Sequence, residues 1–326
     1  MSRQGKGIER RVVRFIPFQG CARRCVYCDQ RIITHDASVG DEVSQSAVRD
    51  ALSSMSEAVE LCFFGGSFAR LEPGLMMEYM RSIESAPHGS VVTFSSYPGD
   101  FNGERGKALI KALRNYPIGT IELGIPSLDP HVLEVCGRQD DAGDIKKILA
   151  ALQDEGFHIG VQTMIGLPGQ TFESSILDVE TLGGVMYPDS WDLRIYPCLV
   201  LRGTELEAMY RRGEYLPLEL DEAARQSGAL LRVAERLGFN VIRVGLHDSV
   251  SLKKSVVAGP YHPAFGELAR SEKLALELFE KHPKGPWTVK SAMISQLTGH
   301  GAKGLRRLAE LASMPLRAAE SLIKII

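Results

Sequence analysis

Short apolar segments alternate with longer amphipathic segments along most of the chain. Apolar runs bounded by glycine, proline or polar residues predict strands at 11–16, 59–64, 90–96, 120–125, 157–165, 191–196 and 240–244. Apolar residues spaced three or four positions apart predict helices at 44–54, 72–85, 103–115, 144–155, 172–182 and 219–237. This alternation indicates βαβ units, and therefore a parallel sheet in an α/β fold.

The number of βαβ units favours a barrel or a partial barrel, and a doubly wound sheet is the alternative architecture. In barrels the chemistry lies at the carboxyl ends of the strands. The Gly-rich and polar motifs of this chain follow those predicted ends. We therefore expect a functional site at that edge of the sheet.

The pattern changes after Pro260. Three features follow it: a predicted helix at 265–279, a Pro/Gly linker at 282–286, and two short amphipathic helices within 305–326 that are broken near Met314-Pro315. We predict two regions, a core of residues 1–264 and a small C-terminal helical appendage of residues 265–326.

Composition and charge narrow the class of protein. The chain has 326 residues, 44% of them hydrophobic, and a formal net charge of −2. This net charge does not indicate binding to nucleic acid or to a membrane. No apolar run approaches the roughly 20 residues of a membrane span, and the polar start is no signal peptide. We expect a cytoplasmic protein with no membrane partner. Cys62, Cys136 and Cys198 lie singly in apolar surroundings and are predicted core residues.

Three cysteines follow the first predicted strand with the spacing C-x3-C-x2-C: Cys21, Cys25 and Cys28. Three arginines lie beside them in the sequence: Arg23, Arg24 and Arg31. Neighbouring cations lower thiol pKa values, so we expect thiolates that are ready to bind metal. A closed zinc site or an ordinary ferredoxin cluster uses four protein ligands. Three ligands leave one metal position open, which suits a site that activates a ligand. A zinc knuckle completed by His35 or a distant cysteine is the alternative.

C-x3-C-x-aromatic-C after an apolar strand resembles the radical S-adenosylmethionine (SAM) superfamily. The resemblance implies that the three cysteines hold a [4Fe-4S] cluster and that SAM binds its fourth iron. One electron then cleaves SAM to methionine and a 5′-deoxyadenosyl radical, which abstracts a substrate hydrogen. It also implies a partial (β/α)6 TIM-like barrel, and an electron donor such as flavodoxin or ferredoxin.

The same resemblance assigns candidate SAM contacts. Gly65-Gly66-Ser67 follows the second strand, where the family turn holds the SAM amino group, and Ser67 stands where Glu is common. The full set of candidates is Tyr27, Gly65, Gly66, Ser67, Glu122, Gln162, Ile165, Gly166 and Arg194. Two points stay open: a Gly-Gly pair can be a tight turn and no more, and period-two alternation does not decide whether Gln162 and Arg194 point into the barrel.

Further motifs resemble one bacterial group, similar to the catalytic subunit of Elongator, a tRNA wobble-uridine enzyme. They lie between about residues 10 and 270: Pro17-Phe18-Gln19-Gly20-Cys21, Phe64-Gly65-Gly66-Ser67-Phe68, Ile121-Glu122-Leu123-Gly124, Gly166-Leu167-Pro168-Gly169, Arg194-Ile195-Tyr196-Pro197, Gly203-Thr204-Glu205-Leu206 and Gly259-Pro260-Tyr261-His262-Pro263. The printed sequence ends where that subunit continues into an acetyltransferase domain, so we expect no acetyl-CoA site.

Departures from the group's pattern concern the predicted barrel mouth. Tyr97 replaces an arginine, Pro126 replaces a glutamine, and Gln139-Asp140 replaces Gly-His. Changed loops on a retained scaffold are how barrels alter specificity, so these positions bear on the substrate.

Two stretches are rich in basic residues: Arg3, Lys6, Arg10, Arg11 and Arg14, and then Lys281, Lys284, Lys290, Lys303, Arg306 and Arg307. Such stretches either contact RNA phosphates or form solvated faces. The sequence therefore predicts a radical SAM enzyme with tRNA as the leading partner. A radical SAM enzyme with a small-molecule substrate and a non-catalytic metal- or cluster-bound RNA-binding scaffold are the alternatives.

Overall fold

A computed structural model describes residues 7–22, 24–34, 45–138, 141–186 and 191–326. Six residues named from the sequence lie outside the described residues: Arg3, Lys6, Arg23, His35, Gln139 and Asp140.

The strands of the described chain are β1 (Arg11–Phe15), β2 (Glu60–Phe64), β3 (Val91–Ser96), β4 (Ile118–Gly124), β5 (Ile159–Ile165), β6 (Asp192–Pro197), β7 (Val200–Leu201), β8 (Asn240–Val244), β9 (Val256–Ala258), β10 (Trp287–Val289) and β11 (Ile323–Ile325). The helices are α1 (Gln30–Thr34), α2 (Gln45–Ser53), α3 (Pro73–Arg81), α4 (Gly103–Leu113), α5 (Pro130–Val135), α6 (Ala142–Asp154), α7 (Phe172–Gly183), α8 (Glu205–Arg211), α9 (Leu220–Arg236), α10 (Val250–Ser255), α11 (Phe265–Lys281), α12 (Ile294–Leu311) and α13 (Leu316–Ser321).

Seven parallel strands form one sheet in the order β1-β2-β3-β4-β5-β6-β8, so each strand pairs with the next predicted strand along the chain. The sheet is curled into a half-barrel, which confirms the predicted partial barrel and excludes the doubly wound alternative. Helices cover its outer face because their apolar stripes bury residues such as Leu149, Leu182 and Leu230 against the strands.

The C-terminal region differs from the prediction of helices alone. Helix α12 begins at Ile294, earlier than expected, and the break near Met314-Pro315 is present before α13. The last residues are a strand rather than a helix, because β11 pairs in parallel with β10 and this pairing satisfies their backbone groups. The sequence also gave no sign of the short antiparallel pair β7–β9.

Helix α11 contributes residues to two hydrophobic cores. Its first half, including Phe265 and Ala269, belongs to the core of the half-barrel. Its second half, including Leu274 and Leu278, joins a smaller core with Trp287 of β10. The predicted boundary at residue 265 stays a prediction. None of the helices in the described part of the chain is long and apolar enough to cross a membrane.

Candidate active site

A cavity of about 1250 Å³ opens inside the half-barrel at the carboxyl ends of its strands. It is lined by the three motif cysteines and by seven of the nine predicted SAM contacts: Tyr27, Gly65, Gly66, Ser67, Glu122, Gln162 and Arg194. Ile165 and Gly166 do not line it. Ile165 is fully buried, and the Gly166 carbonyl accepts a hydrogen bond of 2.6 Å from the Tyr215 hydroxyl.

The cysteine loop connects β1 to α1 and places all three thiols on the cavity. Its backbone is held by local turns, in which Cys21 N donates to Phe18 O and Cys28 N donates to Cys25 O, over 3.1 and 3.0 Å. The three thiols are free and half-buried. The other cysteines, Cys62, Cys136 and Cys198, are buried as predicted.

Gln30 joins the cysteine loop to the turn after β2. Its side-chain oxygen accepts hydrogen bonds from the backbone N–H groups of Phe18 and of Gly66, the latter over 2.7 Å. Its amide nitrogen lies 3.7 Å from Cys21 Sγ, within donating distance. Sequence reasoning missed this residue, although a polar amide two positions after Cys28 was the available signal.

The prediction of lowered thiol pKa values is wrong for two of the cysteines. Burial raises the pKa of Cys21 and the pKa of Cys28, and the neighbouring Cys25 thiol adds to both effects. Desolvation outweighs nearby cations because removing a thiolate from water is more costly than a partly exposed arginine can offset. Metal binding at these thiols therefore has to displace protons.

The Gly-Gly turn is required by chain packing. Gly66 has φ +63°, and a Cβ there would lie 2.5 Å from the carbonyl oxygen of Ile16 and closer still to that of Gln19. A Cβ on Gly20 would collide with the Ser67 carbonyl oxygen. A side chain at Gly66 would therefore first meet the backbone of the cysteine loop. A Cβ on Gly166 would likewise meet Leu218.

A buried carboxylate stands beside this turn. The Ser67 hydroxyl donates to Asp100 Oδ2 and accepts from the Tyr97 N–H over 2.8 Å. Arg70 donates to the other Asp100 oxygen over 3.3 Å. Burial raises the pKa of Asp100, and these hydrogen bonds oppose the shift in part. Ser67, which stands where Glu is common, therefore holds a carboxylate supplied by the turn after β3.

A polar network crosses the floor of the cavity. Arg194 of β6 donates to both oxygens of Glu122 on β4, over 2.9 and 2.7 Å, and Gln162 of β5 donates to Glu122 Oε2 over 2.7 Å. Burial lowers the pKa of Arg194, but the Glu122 carboxylate and Tyr196 together raise it by more. All three side chains point into the barrel, which settles the direction that strand alternation left open for Gln162 and Arg194. Their contact with SAM stays a prediction.

Arg138 connects the cysteine loop with one of the departures. It lies 3.7 Å from Cys25 Sγ, donates to the Gly124 carbonyl over 2.8 Å, and its guanidinium carbon is 4.6 Å from the centre of the Tyr97 ring. Tyr97 and Pro126 both line the cavity. Sequence reasoning missed Arg138, Asp100 and Arg243 as lining residues, because they are distant in sequence from the cysteine motif.

The number and type of these ligands, three cysteine thiols, suit an iron–sulfur cluster with one open iron position. Three thiols line one cavity, and N–H groups of Gln30 and Arg138 face two of the sulfur atoms. Hydrogen bonds of this kind tune the reduction potential of a cluster. The three thiols line the same cavity but are not gathered into a group that could hold a single metal ion, and no other three His, Cys, Asp or Glu side chains of the described residues form such a group.

The second basic stretch does not form one free patch. Lys303 pairs with Asp221, and Arg307 pairs with Glu272 and Glu310 over 3.3 and 3.0 Å. The acids come from α9, α11 and α12, so sequence windows without acidic residues did not reveal them.

Family models match two parts of the chain. The radical SAM superfamily model matches residues 15–179, half of the chain, and the radical SAM C-terminal domain model matches residues 191–275. The chain belongs to the radical SAM superfamily. It is an enzyme of this SAM-dependent radical class.

Curated relatives include proteins that modify tRNA. The chain is 36% identical over 149 residues to the tRNA uridine(34) acetyltransferase of Methanocaldococcus infernus, covering 45% of this chain and 27% of that protein. It is 25% identical over 249 residues to the mouse protein radical S-adenosyl methionine domain-containing protein 1, mitochondrial, covering 72% and 53%. The chain spans about a quarter of the length of the archaeal acetyltransferases that it matches.

Solved structures share the fold. Elp3 of Methanocaldococcus infernus, with an N-terminal deletion, superposes with a TM-score of 0.57 and 19% identity, covering 84% of this chain and 63% of that chain. Streptococcus suis SuiB bound to S-adenosylmethionine gives a TM-score of 0.50 and 12% identity, covering 73% and 50%. At these identities the likeness concerns the fold.

Proposed function

We propose that this enzyme holds a [4Fe-4S] cluster on Cys21, Cys25 and Cys28, binds SAM in the adjoining cavity, and modifies a tRNA. The observation that carries the first part is the convergence of three free thiols on a cavity that also contains the Gly-Gly turn. When bound, the cluster supplies the electron that cleaves SAM to methionine and a 5′-deoxyadenosyl radical.

In this proposed function, the residues of the chain fix the cysteine loop and bind and orient the polar groups of the ligand. Gln30 fixes the cysteine loop against the Gly66 turn, and Arg138 stands beside Cys25, where its charge offsets that of a thiolate. Asp100 is a buried carboxylate that suits a cationic ligand group, while Glu122, Gln162 and Arg194 offer donors and acceptors for polar groups. The enclosing half-barrel limits the access of water to a reactive radical.

The proposal of a tRNA substrate is based on the names of two relatives. Two archaeal enzymes whose names specify tRNA uridine(34) are 32% and 36% identical to this chain over the matched residues. A small-molecule substrate is the second candidate. It is favoured by Tyr97 and Pro126, because these departures from the group's pattern both face the cavity.

Anaerobic reconstitution tests the cluster. We expect four irons and four sulfides per chain, as a [4Fe-4S] cluster requires. Replacement of Cys21, Cys25 or Cys28 by Ala should abolish the cluster, while Ala at Cys62, Cys136 or Cys198 should leave it as the matched control. Stoichiometric zinc without iron would contradict the proposal.

Product analysis tests the reaction class and the substrate. With a strong reductant and no substrate, the loaded protein should convert SAM slowly to 5′-deoxyadenosine and methionine. Formation of S-adenosylhomocysteine alone would indicate methyl transfer and exclude this mechanism. Added tRNA should accelerate 5′-deoxyadenosine formation, and acceleration by a metabolite fraction but not by tRNA would favour the small-molecule candidate.

A further inference from the structure

The C-terminal end of the chain contains two helices joined by a short turn. After the backbone break at 299–302, α12 continues to Leu311, and α13 begins at Leu316. Ser313 in the turn has φ +52°, a left-handed conformation that non-glycine residues adopt infrequently and that reverses the chain sharply. This turn is therefore specified by tertiary structure rather than by a glycine.

Small buried residues allow the two helices to approach each other. Ala309 of α12 and Ala319 of α13 are 4% and 0% exposed and belong to one hydrophobic core. The larger residues Leu297 and Leu308 belong to the same core. A turn of four residues, 312–315, joins the two helices.

The two-stranded sheet completes this C-terminal unit. Trp287 and Val289 of β10 are buried in its core, and Thr288 between them is exposed, so Lys290 continues the exposed face by period two. Lys324 pairs with Thr288 in the register of β10 and β11 and is exposed as well. The sheet thus presents two lysines on one solvent face, and β11 directly follows α13.

The positive charges of this unit differ in their partners. Lys303 and Arg307 are paired with acids. Six other basic residues are exposed and form no ion pair with any residue of the described chain: Lys281, Lys284, Lys290, Arg306, Arg317 and Lys324. The unit is thus strongly basic, although the whole chain carries a net charge of −2. Such local separation of charge is the electrostatic footprint of a nucleic-acid surface.

We propose that this unit binds the phosphate backbone of a double-helical RNA stem through a surface that includes Lys290 and Lys324 on the solvent face of the sheet and Arg317 of α13, the helix that leads into β11. The inference rests on the proposed tRNA substrate and adds the surface that would position it. Contact with the backbone rather than the bases is expected, because the deep, narrow major groove of A-form RNA excludes side chains, and because α13 has only six residues. The surface would orient RNA, while the cavity performs the chemistry.

Binding measurements on the full-length, cluster-loaded protein test this surface. The test variant replaces Lys290, Arg317 and Lys324 by Gln, and the probe is a fluorescent tRNA measured by anisotropy over a range of salt concentrations. The variant should bind roughly 10-fold or more weakly at 0.1 M salt, and its plot of log affinity against log salt should be less steep by about 3. Substrate-free SAM cleavage should stay at the wild-type rate.

A matched control replaces two lysines and one arginine on other helices, Lys111, Lys146 and Arg236, by Gln, and should bind tRNA like wild type. Charge-conserving changes, Lys290→Arg, Arg317→Lys and Lys324→Arg, should also retain binding. Equal loss of tRNA binding in the test and control variants, or unchanged binding in the test variant, would contradict the proposed surface and leave the proposed tRNA substrate standing. A wild type that binds no tRNA would overturn the proposed substrate together with the surface. Tighter binding of a DNA hairpin of the same sequence would overturn the assignment to RNA.

Discussion

Arg194 and Glu122 form a two-point ion pair across strand β5, with the Gln162 amide completing the hydrogen bonds of the carboxylate. The Arg194 and Glu122 side chains are 11% and 5% exposed, so neither charge is compensated by water. The pair therefore fixes three neighbouring strands of the half-barrel at the level of the cavity.

Removing one member of this pair should destabilise the protein. Glu122→Gln leaves the Arg194 guanidinium buried without a counter-charge, and we expect a loss of about 3 kcal/mol in the free energy of unfolding. Urea unfolding at pH 7 measures it. In the double variant Glu122→Gln/Arg194→Met, neither charge remains, so its loss should be smaller than the sum of the two single losses. Additive losses would show that the two side chains are not coupled.

Gly66→Ala should damage the protein before any ligand is involved. The added Cβ would collide with backbone oxygens of the cysteine loop, and backbone cannot move aside as a side chain can. We expect a loss of roughly 3 kcal/mol or more, together with reduced iron incorporation, because steric strain adds to the left-handed penalty. Gly203→Ala is the control, because Gly203 has φ +79° with nothing near a Cβ, and it should lose about 1 kcal/mol.

Gln30 should act on the cluster through its acceptor oxygen. Gln30→Leu removes the partner of the Phe18 and Gly66 N–H groups, and we expect lower thermal stability and fewer irons per chain after reconstitution. Gln30→Glu keeps an acceptor oxygen for both N–H groups, loses the donor toward Cys21 and adds a negative charge. It should retain more iron than Gln30→Leu, and the reverse order would contradict this role.

Glu272 should make stability depend on pH. Burial raises its pKa to about 7, against an ordinary value of 4.5, and Arg307 lowers it by less. Because the folded protein holds this proton more tightly than the unfolded chain, the stabilisation is complete below pH 4.5 and is lost as pH rises through 7.

Comparison with Glu272→Gln isolates this contribution. The free energy of unfolding of wild type minus that of the variant should fall by on the order of 3 kcal/mol between pH 4.5 and pH 8. Urea unfolding at several pH values measures this difference, in which other titrating groups largely cancel. A constant difference would contradict the raised pKa.

The sequence determined the parallel α/β architecture and the location of the site. All seven predicted strands are present, because buried parallel strands give continuous apolar runs that are visible without a structure. The carboxyl ends of parallel strands share one edge, so the cysteine loop and the Gly-Gly turn had to lie close together.

Only the tertiary structure decided which polar groups meet. Period-two alternation does not choose between the two faces of a strand, so the inward direction of Glu122, Gln162 and Arg194 depends on how the sheet curls. Asp100 and Arg138 reach the cavity from turns whose directions local sequence does not specify. The raised thiol pKa values and the pairing of Lys303 with Asp221 depend on burial and on contacts between distant segments, because desolvation and ion pairing follow from position in space rather than position in sequence.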